Sequence, residues 1–322
     1  MSVIINRRKF FKDTSVSAVG AFVGSNLIGC TSGSPDSKKD EISSYDIMKD
    51  AGNYRKFDSH THVSSVPDDA DKVIDIADRL GIEWLQASRP NRADLGGIKG
   101  PETVEHVRAL NDLIYSAMQR YPNRFIGFFT LNPLLPKNFC LDEIQRCADL
   151  GFRGYKGYLR AKVNHPSHFP IIEKLIDLKM ICFMHAECQM GSGGYRMKYD
   201  MKEEFRYNAT IPEDMVDVAV RYPEGLFHWA HIGYGGDWEY MCKSFVNYPN
   251  IYVDTSGSNN AERMIDFAVR LLGEDRLFFG TDGSFYQGVG KILATNLTET
   301  QKKKIFFDNY NNLLKRGGYH VS

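Results

Sequence analysis

Eight times between Lys56 and Arg316, a short apolar run is followed by an amphipathic stretch. Few features constrain a fold more, because strands that alternate with helices build a parallel sheet with helices packed on it. Strands are expected at Lys56–Val63, Glu83–Ser88, Phe125–Leu131, Gly154–Leu159, Ile181–His185, Leu226–His231, Ile251–Thr255 and Leu277–Thr281. The helical stretches are Asp69–Leu80, Val104–Tyr121, Leu141–Leu150, Pro170–Leu178, Glu213–Tyr222, Asp237–Val246, Ala261–Leu272 and Glu299–Arg316. Their apolar residues recur at helical spacing, as at Val73, Ile76, Ala77 and Leu80. Eight strand-helix pairs is the count of a (β/α)8 TIM barrel, and one such barrel accounts for residues 54–322 as a single domain. An open doubly wound sheet would carry a glycine-rich phosphate turn after its first strand. Here that turn reads Ser59-His60-Thr61-His62, without glycine.

Ahead of the barrel stand Asn6-Arg7-Arg8-Lys9-Phe10-Phe11-Lys12 and a mildly apolar run from Ser15 that ends in Leu27-Ile28-Gly29-Cys30. Residues 1–29 read as a twin-arginine export signal closed by a lipobox, with Cys30 as the lipidated residue. The run is shorter than the roughly 20 apolar residues a bilayer span needs. Residues 30–53 are expected to be a lipidated flexible leash, Ser-, Gly-, Pro- and charge-rich in their first half. A protein anchored in this way faces the periplasm or the cell surface. The 40 basic residues are matched by 40 acidic ones, and signal removal takes away more basic than acidic charge, which disfavours nucleic acid as a partner. Six cysteines without any C-x-x-C pair exclude a zinc ribbon, and although export permits a disulfide between Cys182 and Cys188, their spacing does not demand one.

The expected strand ends carry metal-ligating residue types. Strand one closes with His60-Thr61-His62, and residues two apart on a strand share a side. Strand five closes with His185, strand six with His231 and strand eight runs into Asp282. A lone histidine after an apolar strand is commonly a hydrogen-bonded core residue. Four of the nine histidines at ends that a barrel brings to one face form a different pattern. Imidazole and carboxylate suit Zn2+, with Fe2+, Mn2+ and Co2+ open by the same chemistry. Such an ion lowers the pKa of bound water to about 7, and a carboxylate beside it can act as general base.

Taken together, Asp58-Ser59-His60-Thr61-His62, Gly151-Phe152-Arg153-Gly154-Tyr155-Lys156, His185, Ala230-His231-Ile232-Gly233, Gly280-Thr281-Asp282 and the tail Phe307-Asp308-Asn309 with Leu313-Leu314 are similar to the amidohydrolase superfamily. The resemblance spans Lys56 to about Arg316 and points to the branch that contains both hydrolases and decarboxylases of carboxylated aromatics. It implies His60, His62, His185 and Asp282 as metal ligands, Asp282 also as proton acceptor, and His231 as the group that polarises the scissile bond or binds a second ion. Lys156 has three readings: a carboxylated bridge between two ions, a partner for a substrate carboxylate, or a structural residue. The chain departs from the family pattern at Gly283-Ser284-Phe285, where many members have Tyr-Pro, and at Tyr158, where others have histidine. Arg89, Arg92, Arg160 and Arg196 could fork onto an anionic substrate, and Tyr158, Tyr195, Tyr234 and Trp238 could stack on a ring. The resulting expectation is an exported Zn2+-dependent hydrolase, with one or two ions, acting on an amide, lactone or related ester of a small molecule. The alternatives are a metal-dependent, non-oxidative decarboxylase of a small carboxylic acid and a non-catalytic surface binding lipoprotein.

Overall fold

All eight expected strands form. The computed structural model describes residues 45–66, 68–89, 102–186, 208–232, 238–257 and 263–322. Its strands are β1 (Lys56–His62), β2 (Ile82–Ser88), β3 (Phe125–Phe129), β4 (Gly154–Gly157), β5 (Ile181–Met184), β6 (Leu226–Trp229), β7 (Ile251–Asp254) and β8 (Leu277–Phe278). They pair in parallel and in sequence order from β1 to β8. The Ser59 amide then donates to the Phe279 carbonyl at 2.8 Å and the Asp282 amide to the His60 carbonyl at 2.7 Å, which curls the sheet into a nearly closed (β/α)8 TIM barrel.

Period-two alternation sorts the strand residues onto two faces. Leu85, Ala87, Phe125, Phe129, Tyr155, Cys182, Met184, Phe227, Trp229, Ile251 and Val253 belong to the cluster shared with the surrounding helices. Phe57, Ile126, Phe128, Ile181, Phe183, Leu226, Tyr252 and Phe278 belong to a second cluster, which fills the barrel together with Phe307, Tyr310, Leu313 and Leu314 of the final helical segment. Continuing the inward rows of β6 and β7 by two places from Leu226 and Tyr252 reaches His228 and Asp254, and Lys156 of β4 lies at the same end; all three are fully buried. The barrel is thus apolar at its base and polar near the carboxyl ends of its strands.

The strands stop earlier than their apolar runs suggest, so His185 lies one residue beyond β5, His231 two beyond β6 and Asp282 four beyond β8. A helix at Phe285–Leu293 was not expected. Its Gly288 and Gly290 weaken the helical signal, and Gly288 serves close packing, since a Cβ there would lie 3.1 Å from Thr281 Cγ2. The single stretch expected at Glu299–Arg316 is interrupted by a π-helical turn at Lys304–Asp308, and the Ile305 carbonyl freed there accepts the Phe279 amide at 2.9 Å. A short helix, Ile47–Ala51, precedes the expected domain start at Tyr54. Cys30, with the rest of the export signal and leash up to residue 44, lies outside the described residues. No described helix is long and apolar enough to cross a membrane. Cys140, Cys147, Cys182 and Cys242 are free thiols, and Cys188 lies outside the described residues.

Candidate metal centre and active site

Where β1 meets β2, Asp58 pairs with Leu85 but Thr61 with Ala87, a bulge that places three steps on one strand against two on the other. Phe57 faces the barrel interior below the bulge, and the bulge returns His60 and then His62 to that side. Asp58 fastens this turn to the far edge of the sheet: its Oδ1 accepts the amides of His60 and Thr281, each at 3.0 Å, and its Oδ2 accepts the Thr61 and Thr281 hydroxyls, each at 2.6 Å. Gly280 permits the close approach of two strands, since a Cβ there would sit 3.1 Å from Asp254 Cβ and 3.2 Å from His60 Cβ.

His60, His62 and Asp282 converge. His62 Nε2 lies 3.1 Å and His60 Nε2 3.5 Å from Asp282 Oδ1. His60 is fully buried, whereas the side chains of His62 and Asp282 keep 22% and 33% of their exposure, so the group has one face toward solvent. Asp282 and His231 both adopt left-handed backbone, at φ 50° and 67°. Such residues cost of order 1 kcal/mol or more and persist where the surroundings fix them. Here the Asp282 amide is fixed by the His60 carbonyl and the His231 amide by Asp254 Oδ1.

Behind this group lies a second one. His60 Nδ1 is 3.0 Å from both Asp254 Oδ2 and Ser256 Oγ. His231 Nδ1 is 2.9 Å from the same Ser256 Oγ, and His231 Nε2 is 3.0 Å from His185 Nδ1. His228 stacks on Phe183 at 3.9 Å and brings its Nε2 to 3.1 Å from Asp254 Oδ2. Lys156, fully buried, sets its Nζ 3.2 Å from His60 Nε2 and 3.5 Å over the Phe183 ring.

Electrostatics follow from burial and proximity. Burial, assisted by the Lys156 amine, pushes His60 down to about 3, and burial holds His231 well below the usual imidazole range. Burial pulls Lys156 down to about 7. For Asp282 burial acts upward, but His60, His62 and His231 outweigh it and hold the carboxyl well below the usual range. Neutral imidazoles beside an ionised carboxylate are the protonation states a divalent metal requires. Among the described residues, His60, His62 and Asp282 offer ligand atoms all within 4.8 Å of one another. Ligands roughly 2.1 Å from a tetrahedral ion sit about 3.4 Å apart, close to the separations here. The donor set fits a divalent ion.

The structure thus brings together three of the four expected ligands, and places His185 against His231, outside that group. Tyr158 tilts over the His185 ring at 4.6 Å. Arg89 is buried just after β2, and Arg160 sets its Nε 3.3 Å from Glu102. Trp238 packs edge-on against Phe267 at 5.1 Å, a helix contact instead of the expected stacking surface. Arg92, Tyr195, Arg196 and Tyr234 lie outside the described residues. Sequence reasoning missed Asp254, Ser256 and the structural role of Asp58. The signal for Asp254 was the same strand-end position that singled out His185 and His231.

The amidohydrolase family pattern matches residues 57–309. A curated relative, the gamma-resorcylate decarboxylase of Rhizobium radiobacter, is 24% identical, with 77% of this chain and 88% of that protein covered. The crystal structure of a 2,6-dihydroxybenzoate decarboxylase in complex with 2,6-dihydroxybenzoate superposes with a TM-score of 0.61 at 20% identity, over 81% of this chain and 99% of that one. A dihydroxybenzoic acid decarboxylase from Polaromonas sp. JS666, with bound manganese and the inhibitor 2-nitroresorcinol, gives 0.60 at 18% identity, over 81% and 97%. These relatives overturn the expectation of a hydrolase acting on an amide, lactone or ester: they are decarboxylases, the reaction held as the alternative. The Polaromonas structure holds manganese, which together with the donor group here supports a divalent metal, without singling out Zn2+. With the family pattern matched over most of its length, the chain belongs to the amidohydrolase family.

Proposed function

We propose that this protein is a divalent-metal-dependent, non-oxidative decarboxylase of a small hydroxylated aromatic carboxylic acid. The observation that carries the reading is the His60, His62 and Asp282 donor group, buried on one side and open on the other, at the carboxyl end of the barrel. Its decarboxylase relatives support the choice of reaction. A divalent ion held by these three residues, Mn2+ or Zn2+ by the chemistry of the donors, would supply positive charge that binds the substrate's carboxylate with a neighbouring oxygen and offsets negative charge developing on the ring.

Decarboxylation breaks the bond between the ring carbon and the carboxylate carbon, leaves the electron pair on the ring, and requires a proton in place of CO2. Asp282 is our candidate for holding that proton. It is ionised at rest and partly exposed, so it can accept the proton of a phenolic hydroxyl and deliver it to the ring carbon as CO2 departs. Neutral His231, fixed by Ser256 and His185, orients the inner wall. Tyr158 offers an aromatic face beside His185, and Arg89 is our candidate partner for the substrate's carboxylate.

The test uses purified, Mn2+-loaded chain and a panel of carboxyl-13C-labelled hydroxybenzoates that includes 2,6-dihydroxybenzoate. Release of labelled CO2 that stops on chelation is expected. A folded, metal-loaded chain that releases none from any ortho-hydroxylated member of the panel would overturn the proposal. From Arg7-Arg8 and Leu27-Ile28-Gly29-Cys30 we further propose export through the twin-arginine route and a lipid anchor at Cys30.

A further inference from the structure

We infer that Ser256 is a positioning residue that decides which nitrogen of His60, His231 and His185 carries the proton, and thereby tunes metal affinity. The inference rests on the reading that His60, His62 and Asp282 hold the ion, and is independent of the reaction catalysed.

Ser256 follows β7 by two residues and is 1% exposed. Its Oγ has one proton and two lone pairs. Asp254 Oδ1 already accepts the amides of His231 and Ser256, and the Ser256 hydroxyl donates to that same oxygen. The two lone pairs then face His60 Nδ1 at 3.0 Å and His231 Nδ1 at 2.9 Å. Both Nδ1 atoms must therefore be the protonated ones, and His60 shares its proton with Asp254 Oδ2 at 3.0 Å.

Two further contacts agree with this assignment. His60 Nε2 sits 3.2 Å from the Lys156 Nζ, a donor, and so presents its lone pair there. His231 Nε2 likewise presents a lone pair to His185 Nδ1 at 3.0 Å, which places the His185 proton on Nδ1 and its lone pair on Nε2. The Ser256 hydroxyl thus fixes His231 and, through it, His185, and together with Asp254 it holds His60 in the tautomer whose Nε2 can bind metal. A hydrogen-bonded neighbour that fixes the tautomer of a ligating histidine typically changes affinity about 10- to 100-fold. Ser256 is itself held in place: Lys291 of the helix Phe285–Leu293 donates to the carbonyls on either side of it, those of Thr255 and Gly257.

The experiment measures Mn2+ affinity by competition with a chromogenic chelator for the full chain and its Ser256→Ala and Lys291→Met variants. It also reads histidine tautomers by 15N NMR of the wild-type chain, both without metal and loaded with diamagnetic Zn2+. Ser256→Ala should bind Mn2+ about 10- to 100-fold more weakly with its fold retained, Lys291→Met should fall in the same direction by less, and His231 should show Nδ1 as its protonated nitrogen. Wild-type affinity in Ser256→Ala would overturn the inference. If that variant fails to fold, the wild-type spectrum decides alone: a proton on His231 Nε2 overturns the inference, and one on Nδ1 supports it. A wild-type chain that binds no Mn2+ would instead fail the metal reading, with the tautomer measurement, made without metal, still deciding the role of Ser256.

Discussion

Asp58 should bear more of the barrel's stability than any surface ion pair. It receives four hydrogen bonds at zero exposure, two from backbone amides and two from hydroxyls, and they tie β1 to the segment after β8 where the sheet closes. Asp58→Ala leaves the His60 and Thr281 amides buried without an acceptor. At about 1–3 kcal/mol for each such group, the loss is about 2–6 kcal/mol. For a domain of this size that lowers Tm by of the order of 10 °C. Asp58→Asn keeps an oxygen for the two amides and turns the other position into a donor, to which the Thr61 and Thr281 hydroxyls can respond by accepting. Its cost should stay near 1 kcal/mol, a shift of a few degrees. The assay is thermal unfolding of wild type and both variants, followed by circular dichroism on metal-loaded protein. An Ala variant as stable as wild type, or an Asn variant as damaged as the Ala variant, would refute the reasoning.

Asp282→Asn should keep its Tm within a few degrees of wild type and lose at least about 100-fold in CO2 release, because the amide cannot carry the proton; labelled CO2 evolution checks this. Gly288→Val drives a side chain toward Thr281 Cγ2, 3.1 Å from the position of the new Cβ, and toward the Gly280 carbonyl at 3.3 Å. It should cost about 1–3 kcal/mol and lower CO2 release by moving the segment that carries Asp282, with unchanged Tm and rate as the outcome against it. Cys30→Ser should release the protein from membranes on cell fractionation, and a variant that stays processed and membrane-bound at high salt would count against the anchor.

What could be read along the chain was whatever repeats or sits at a fixed offset. Strand and helix periods depend on local backbone geometry, so eight alternations were visible, and His60 with His62 stood out because two residues is the repeat of a strand. The positions of His231 and Asp282 just beyond apolar runs were legible for the same reason. The strand-end histidines pointed to a metal and the family resemblance assigned its ligands, but the preference for hydrolysis over the decarboxylase alternative did not survive comparison with the decarboxylases this chain is similar to. The export signal we propose is likewise read from a local motif, within residues 1–30.

Tertiary structure decided which of these residues meet. Asp254 and Ser256 lie nearly 200 residues from His60, and only closure of the sheet brings them within 3.0 Å of its ring. No local pattern separates that aspartate from one that ends a strand in solvent. The bulge that re-aims His60 depends on the register of β1 against β2, which is set by pairing and not by either strand alone. The placement of His185 against His231 and the packing of Trp238 on Phe267 are also contacts across elements. Sequence periodicity therefore determined the barrel and its polar end, while the donor group and the hydrogen-bond chain behind it exist only because distant strand ends are forced together around a shared core.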